Sequence, residues 1–211
     1  MAFIVEVPSI SDSIDGEPMC LVVGGVKAYN LDNLYNRKGV DEHFKLFIGF
    51  RVQVCTNMCV WTDGFAGDIK VKNLQQLQQV IYQLIANYDA ISDLKRMARL
   101  QELSITETQF AQLIGRCRLY QHLPIQQKRD IPELLFGDSQ VNSVCRDYYR
   151  DNSFCKQDNG DINLWRLYNL FTSANKQSYI DSFADRAVGA SSFISDLSHA
   201  KEGKSTNWFL G

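Results

Sequence analysis

The hydrophobic pattern of this chain changes its period near residue 73, and that change limits the folds available to it. Before this point apolar residues alternate with others, most clearly in Phe44 to Val54, as in a strand with one covered face. After it they recur at steps of three and four, beginning with Leu74, Leu77 and Val80, as on an amphipathic helix. This order predicts an α+β fold, with a small, mostly antiparallel sheet from the N-terminal third packed with a helical C-terminal two-thirds.

The first 72 residues contain several strand signals. The predicted strands are Ala2 to Val7, Leu21 to Tyr29, Phe44 to Val54 and Ile69 to Lys72. The turn-rich segment SDSIDGEP between the first two predicts a hairpin with a long loop. The third strand is expected to continue towards Trp61. Gly24 and Gly25 indicate a bulge or a close backbone approach.

Helical periodicity continues to the end of the chain. The predicted helices are Asn73 to Leu100, Thr106 to Tyr120, Ser139 to Tyr149, Ile162 to Phe171 and Ser178 to Ala200. Neither Gly nor Pro interrupts the first, and Thr106 is expected to cap the second. Because no repeat, low-complexity tract or long linker divides the chain, we predict one domain over residues 1–211, with a strand-rich part (1–72) and a helical part (73–211).

The net charge and the cysteines indicate which cellular compartment and which classes of partner to expect. The net charge is −2, so contact with nucleic acid would need a local basic patch. The N-terminal segment lacks a basic region, Glu6 and Pro8 break its apolar run, and no stretch is long enough for a membrane span. The six cysteines are expected to be free thiols: Cys20, Cys55, Cys59, Cys117, Cys145 and Cys155. We therefore predict a cytoplasmic protein without membrane contact.

Metal binding and catalysis find little support in the sequence. Cys55 and Cys59 form a C-x3-C pair, but the sequence offers no second pair of zinc ligands. Two thiols on the same face of one strand are the simpler interpretation. His43, His122 and His199 stand in no nucleophile signature, and no phosphate-binding or zinc-protease motif is present. The prediction is a non-enzymatic protein with no cofactor and no metal. An enzyme site assembled from polar residues around Asn175 to Asp181 remains an alternative.

Two places offer candidate binding residues. The first combines two basic stretches with an aromatic residue, the combination used for phosphate and base contacts: Lys95, Arg96, Arg99, Arg116, Arg118 and Tyr120. A solvated helix face is the competing interpretation, and we favour it because nearby carboxylates dilute the charge. The second comprises Asn175, Lys176 and Tyr179, at the junction of two predicted helices. Asn175 or Ser178 would cap the second helix there, and its free amides would suit an anion.

Several long segments resemble an uncharacterised bacterial family carried on plasmids, phages and conjugative elements, domain of unknown function 3871. The segments are GGVKAYN (Gly24 to Asn30), FKLFIGFRVQVCTNMCVWTDG (Phe44 to Gly64), TETQFAQLIGRCRLYQHLP (Thr106 to Pro124), INLWRLYNLFTSANKQSYIDSFADR (Ile162 to Arg186) and NWFL (Asn207 to Leu210). The resemblance covers nearly the whole chain. Members of the family usually carry a further N-terminal region, so we expect this chain to be a short or trimmed form.

The resemblance implies a role on mobile elements, whose small accessory proteins commonly process nucleic acid or block host defence. The first expectation is an anti-CRISPR protein that binds a host CRISPR effector or its guide RNA complex, with possible direct RNA or DNA contact. Most aromatic residues are expected in the core, and the candidate hot-spot aromatics are Trp61, Tyr120, Tyr148, Tyr149 and Trp208. The alternative is a protein that binds single-stranded nucleic acid in replication or recombination. The oligomeric state is left open.

Overall fold

The computed structural model describes residues 2–27, 41–150, 157 and 159–211, and only the backbone of Asp68 and Asp181. The chain divides into two compact units. The sheet unit comprises Met1–Asp93 and Tyr179–Val188, and the helical unit comprises Leu94–Ser178 and Gly189–Gly211. An antiparallel sheet followed by helices confirms the predicted α+β class. The single domain over residues 1–211 stays a prediction.

The sheet unit is built on five antiparallel strands. They are β1 (Ala2–Ile14), β2 (Glu17–Lys27), β3 (Glu42–Val52), β4 (Met58–Cys59) and β5 (Phe65–Val71). The strands β1, β2 and β3 lie side by side, while β4 and β5 pair with opposite halves of β3. The last strand therefore begins earlier than the predicted Ile69.

The hairpin between β1 and β2 turns through Asp15 and Gly16 alone. Both residues have positive φ, 54° and 76°, which suits the tight turn whose twist matches that of the flanking strands. The predicted long loop is wrong, because the polar residues on either side of the turn continue the strand pairing. The end of the predicted strand Leu21 to Tyr29, beyond Lys27, lies outside the described residues.

The strand β3 ends at Val52 and does not continue to Trp61, so this prediction is also wrong. Thr56 adopts a left-handed conformation with φ 58°, and its amide donates to the carbonyl of Val52 at 2.8 Å, which reverses the chain. Cys55 lies in this turn and Cys59 on β4. The two thiols therefore do not share one strand face.

Close side-chain packing explains the two glycines of β2. A Cβ built on Gly24 would lie 2.2 Å from the Phe47 ring, and one on Gly25 would lie 2.6 Å from the Phe3 ring. The strand register is regular through both, so no bulge occurs there, and side chains rather than another backbone lie close to the two glycines. On one face Phe47 packs with Val22, Met58, Val60, Ala184, Ala187 and Val188. On the other face Leu46 packs with Phe44, Val71 and Leu77.

The predicted helix Asn73 to Leu100 is two helices, α1 (Leu74–Asn87) and α2 (Ala90–Arg99). Tyr88 is extended between them, and the carboxylate of Asp89 accepts a hydrogen bond from the Ser92 amide at 3.0 Å. The hydroxyl of Tyr88 also donates to the buried Asp93. A second helix therefore begins after the Asp89 cap, and the break between the two helices contains neither Gly nor Pro.

Among the described residues, the strands and α-helices of the helical unit are β6 (Ser104–Ile105), α3 (Glu107–His122), α4 (Ile125–Lys128), α5 (Asp138–Tyr149), β7 (Ile162–Asn163), α6 (Leu164–Asn175) and α7 (Ile180–Lys201) from Gly189 onward. Thr106 caps α3 as predicted: its hydroxyl accepts from the Gln109 amide at 3.2 Å, and the Gln109 side chain accepts from the Thr106 amide at 3.1 Å. The short strand β7 pairs with β6, so α6 begins two residues later than predicted. No helix of the described residues combines the length and apolar character needed to cross a bilayer.

Candidate functional site

The first predicted basic stretch lies on α2, and part of its charge is used inside the helical unit. Lys95 and Arg99 are exposed, and Arg96 is half-buried. Arg99 donates to the carboxylate of Glu202, which also pairs with Lys204 at 2.6 Å. Hydrogen bonds from Lys204 and Arg99 hold the pKa of Glu202 below its usual value. The carboxylate of Glu202 therefore partly neutralises the charge of Arg99.

The second predicted basic stretch, on α3, anchors the C-terminal segment. Arg116 donates to the carbonyl of Trp208, and its guanidinium lies 5.4 Å from the centre of the Trp208 ring. Tyr120 is buried and packs against Phe209, with ring centroids 5.8 Å apart. Arg118 is exposed. Of these predicted residues, Arg116 and Tyr120 have structural roles, and Arg118 offers its charge to the surface.

The predicted polar corner is held together by internal hydrogen bonds. Asn175 is 1% exposed, and its side-chain oxygen accepts from the Ser178 hydroxyl at 2.8 Å. That hydroxyl accepts from the Gln140 amide at 2.7 Å. Lys176 is exposed, and Tyr179, which belongs to the sheet unit, is 86% exposed. For the enzyme alternative, the side chain of Asp181 lies outside the described residues, and Asn175 is engaged in structure.

Most of the predicted hot-spot aromatics are in the core. Trp61, Tyr120 and Tyr148 are 4%, 8% and 0% exposed, so they present almost no surface to a partner. The hydroxyl of Tyr148 donates to the carbonyl of Gly160. Tyr149 is exposed, and Trp208 is half-buried beside Arg116. Burial of most aromatic residues was expected, and the hot-spot hypothesis stays a prediction for Tyr149 and Trp208.

The cysteines of the described residues are free thiols, as predicted. Cys20, Cys59 and Cys117 are buried, and burial strongly raises the pKa of the Cys117 thiol. Cys155 lies outside the described residues. Within the described ranges, no group of three His, Cys, Asp or Glu side chains lies close enough together to hold a metal ion.

The helix α1 has an exposed surface that the sequence analysis did not single out. It contains no charged residue over its 14 positions. Leu74, Gln78, Tyr82 and Ile85 follow one another at steps of four, four and three, so they form one stripe along the helix, called here the α1 stripe. Leu74, Tyr82 and Ile85 are 79%, 67% and 43% exposed. Residues 73 to 88 contain no charged side chain, and this uncharged run is the sequence signal that indicates the exposed surface of α1.

A cavity of about 250 Å³ adjoins the N-terminal end of the α1 stripe. Its lining residues are Lys27, Glu42, Phe44, Val71, Asn73, Leu74 and Leu77. Lys27 and Glu42 form an ion pair at 2.5 Å, and the walls are otherwise mostly apolar. Asn73 caps α1 by accepting from the Gln76 amide at 2.9 Å, which fixes this side of the cavity.

Comparison with known proteins finds one match. No curated protein and no solved structure matches the chain. The profile of the family DUF3871, described as a domain of unknown function with a B. theta gene description, matches residues 1–210. The match confirms the resemblance seen in the sequence, and the chain belongs to the family DUF3871.

Proposed function

We propose that this chain is a non-enzymatic accessory protein of a mobile genetic element that binds and inhibits a host defence nucleoprotein. The expected target is an RNA-guided nuclease, which would make the chain an anti-CRISPR protein. The observation that carries the binding role is the uncharged, exposed α1 stripe. The choice of target rests on the resemblance to proteins of plasmids, phages and conjugative elements.

The composition of α1 favours a protein surface as its partner. Because 22% of the chain is charged, a helix of 14 residues would carry about three charged residues at the average composition, and this one carries none. Protein interfaces are depleted of charge at their centre and enriched in tyrosine. Tyr82 lies on the stripe between Leu74 and Ile85, so it is the expected hot-spot residue. A nucleic acid would find no cation on this helix to pair with its phosphates.

A plasmid-interference assay tests the proposal. Cells that carry a programmed RNA-guided nuclease are transformed with a targeted plasmid, and we expect expression of this chain to restore transformation. Tyr82→Glu should abolish the rescue, because it places a charge at the centre of the surface. Val54→Glu changes a residue that is 73% exposed in the turn after β3, so it serves as the matched control and should retain the rescue.

Two results would count against the proposal. Failure of rescue across a panel of RNA-guided nucleases would remove the inhibitor role. If the Tyr82→Glu variant still restores transformation, α1 is not the binding surface.

One observation favours the second function, binding of single-stranded nucleic acid. Arg146, Tyr149 and Arg150, with Asp147, line an open depression of about 610 Å³ in the helical unit. Arginine beside an exposed aromatic ring is the combination that contacts phosphates and stacks on bases. For this function we expect a mobility shift with single-stranded DNA at low salt that weakens steeply as salt rises. The double variant Arg146→Gln and Arg150→Gln should remove the shift, and a wild-type chain without any shift at low salt excludes the function.

A further inference from the structure

We infer that the cavity beside the α1 stripe receives one uncharged apolar side chain, aromatic or branched aliphatic, from the protein that binds this chain. The inference rests on the proposed function and names the chemistry of its partner at the same surface. The partner would lie along α1 and insert one side chain at the N-terminal end of the helix.

The size of the cavity points to a side chain rather than to a small-molecule ligand. Its volume of about 250 Å³ lies below the ~300–1,000 Å³ typical of cofactor and ligand sites. Such a volume can hold a single large side chain. Anchor residues of protein interfaces occupy desolvated pockets that hold one side chain.

The walls select an apolar and uncharged group. Phe44, Val71 and Leu77 are 7%, 3% and 9% exposed and contribute hydrocarbon surface. The charged residues of the lining, Lys27 and Glu42, already pair with each other at 2.5 Å. A charged group entering the cavity would lose its hydration and would have to compete with this ion pair for a partner.

The cavity and the α1 stripe are continuous through Leu74. This residue lines the cavity and is also the first member of the stripe, with 79% of its surface exposed. From Leu74 to Ile85 the stripe spans 12 residues, and its 11 steps cover about 16 Å at the helical rise. A partner segment that covers Tyr82 therefore needs only a short further length to reach the cavity. The missing charge on α1 requires this segment to be uncharged as well.

A direct binding experiment on the full chain uses p-cresol, the side-chain analogue of tyrosine, as the probe. Methyl groups of Val, Leu and Ile are isotopically labelled and followed by NMR during titration. We expect saturable shifts of the Val71, Leu74 and Leu77 methyls with a dissociation constant near ~1 mM, an ordinary value for so small a ligand. Acetate and n-butylammonium, the charged probes, should give no saturable shift at these methyls.

Two matched variants sharpen the experiment. Leu74→Gln removes an apolar wall from an exposed position and is expected to weaken p-cresol binding about tenfold while the rest of the spectrum is retained. Val54→Gln alters an exposed apolar residue of the same unit that does not line the cavity, and it should leave the binding unchanged. Absence of saturable shifts, or equal binding by the Leu74→Gln variant, overturns the inference.

The outcomes separate this inference from the proposed function. Rescue that is lost in Tyr82→Glu but accompanied by no p-cresol binding refutes the cavity as an anchor site and leaves the proposed function standing. If p-cresol binds but the chain restores transformation against none of the nucleases, the proposed target is refuted and the cavity remains an apolar side-chain site. Two occupants other than a protein partner would also overturn the inference. A second copy would appear as a dimer in sedimentation that Leu74→Gln dissociates, and another part of the same chain would give NOE contacts to the cavity methyls.

Discussion

A methyl group added at Gly24 is expected to destabilise the sheet unit by about 0.5–2 kcal/mol. The new Cβ would lie 2.2 Å from the ring of Phe47, whereas ordinary contacts begin at 3.4 Å, so the ring has to move by about 1.2 Å. Phe47 is 1% exposed and belongs to a cluster of buried apolar side chains, so it has little space to move. Overpacking of this kind costs ~1–3 kcal/mol, and the alanine recovers ~0.5–1 kcal/mol of chain entropy that glycine loses on folding.

Urea unfolding followed by circular dichroism measures this effect. Gly67→Ala is the matched control, since Gly67 lies in β5 with no atom within 4 Å of the added Cβ and without positive φ. Gly24 and Phe47 pair directly across β2 and β3, so Phe47→Leu in the Gly24→Ala background should recover part of the loss, with a coupling energy of ~0.5–2 kcal/mol. If Gly24→Ala unfolds at the same urea concentration as Gly67→Ala, the packing argument for this glycine is refuted.

Three further predictions concern the helical unit. Gly115→Ala on the exposed face of α3 should stabilise the chain by ~0.5–1 kcal/mol in a thermal melt, because no atom lies near the added methyl and alanine favours a helix; a lowered melting temperature would contradict this. Thr106→Ala should cost ~1 kcal/mol through loss of the hydroxyl that caps α3, whereas Thr106→Ser should retain most of the stability; equal unfolding of the two variants would argue against the cap. Burial, followed by the charge of Glu107, raises the pKa of Tyr148 to about 12, so the folded state holds this proton more tightly than the unfolded state does. The resulting stability is present below pH 10 and is lost as pH rises from 10 to 12, and Tyr148→Phe should show a smaller loss in urea titrations over that interval; an equal loss would assign the effect to other groups.

The sequence predicted the elements well where the signal is local. The Thr106 cap was found because its two hydrogen bonds join residues three positions apart. The helix break at Tyr88 contains neither Gly nor Pro, and its local signal is Asp89, whose carboxylate accepts from the Ser92 amide as a cap. The tight turn at Asp15 and Gly16 was likewise present as a D-G pair but was absorbed into a longer turn-rich segment.

The candidate site was harder to predict, because a helical period shows that a face is covered without showing how much of each side chain remains exposed. The sequence offered Arg116 either a phosphate contact or, as the favoured interpretation, a solvated helix face, yet its guanidinium contacts Trp208, 92 positions further along the chain. The cavity beside α1 joins residues from β2, β3 and β5 to the helix, and no local pattern brings these together. The uncharged run from 73 to 88 was visible in the sequence, but its meaning depended on knowing that Tyr82 faces outward.

By itself, the sequence determined the α+β class, the antiparallel sheet with helices after it, and membership of the family DUF3871. Tertiary structure decided which aromatic rings are buried, which arginines are engaged within the protein, and where an uncharged surface meets an apolar cavity. The physical reason is the range of the interactions. Strand and helix periods arise between neighbours along the chain, whereas the exposure of a side chain depends on distant residues that the fold packs against it.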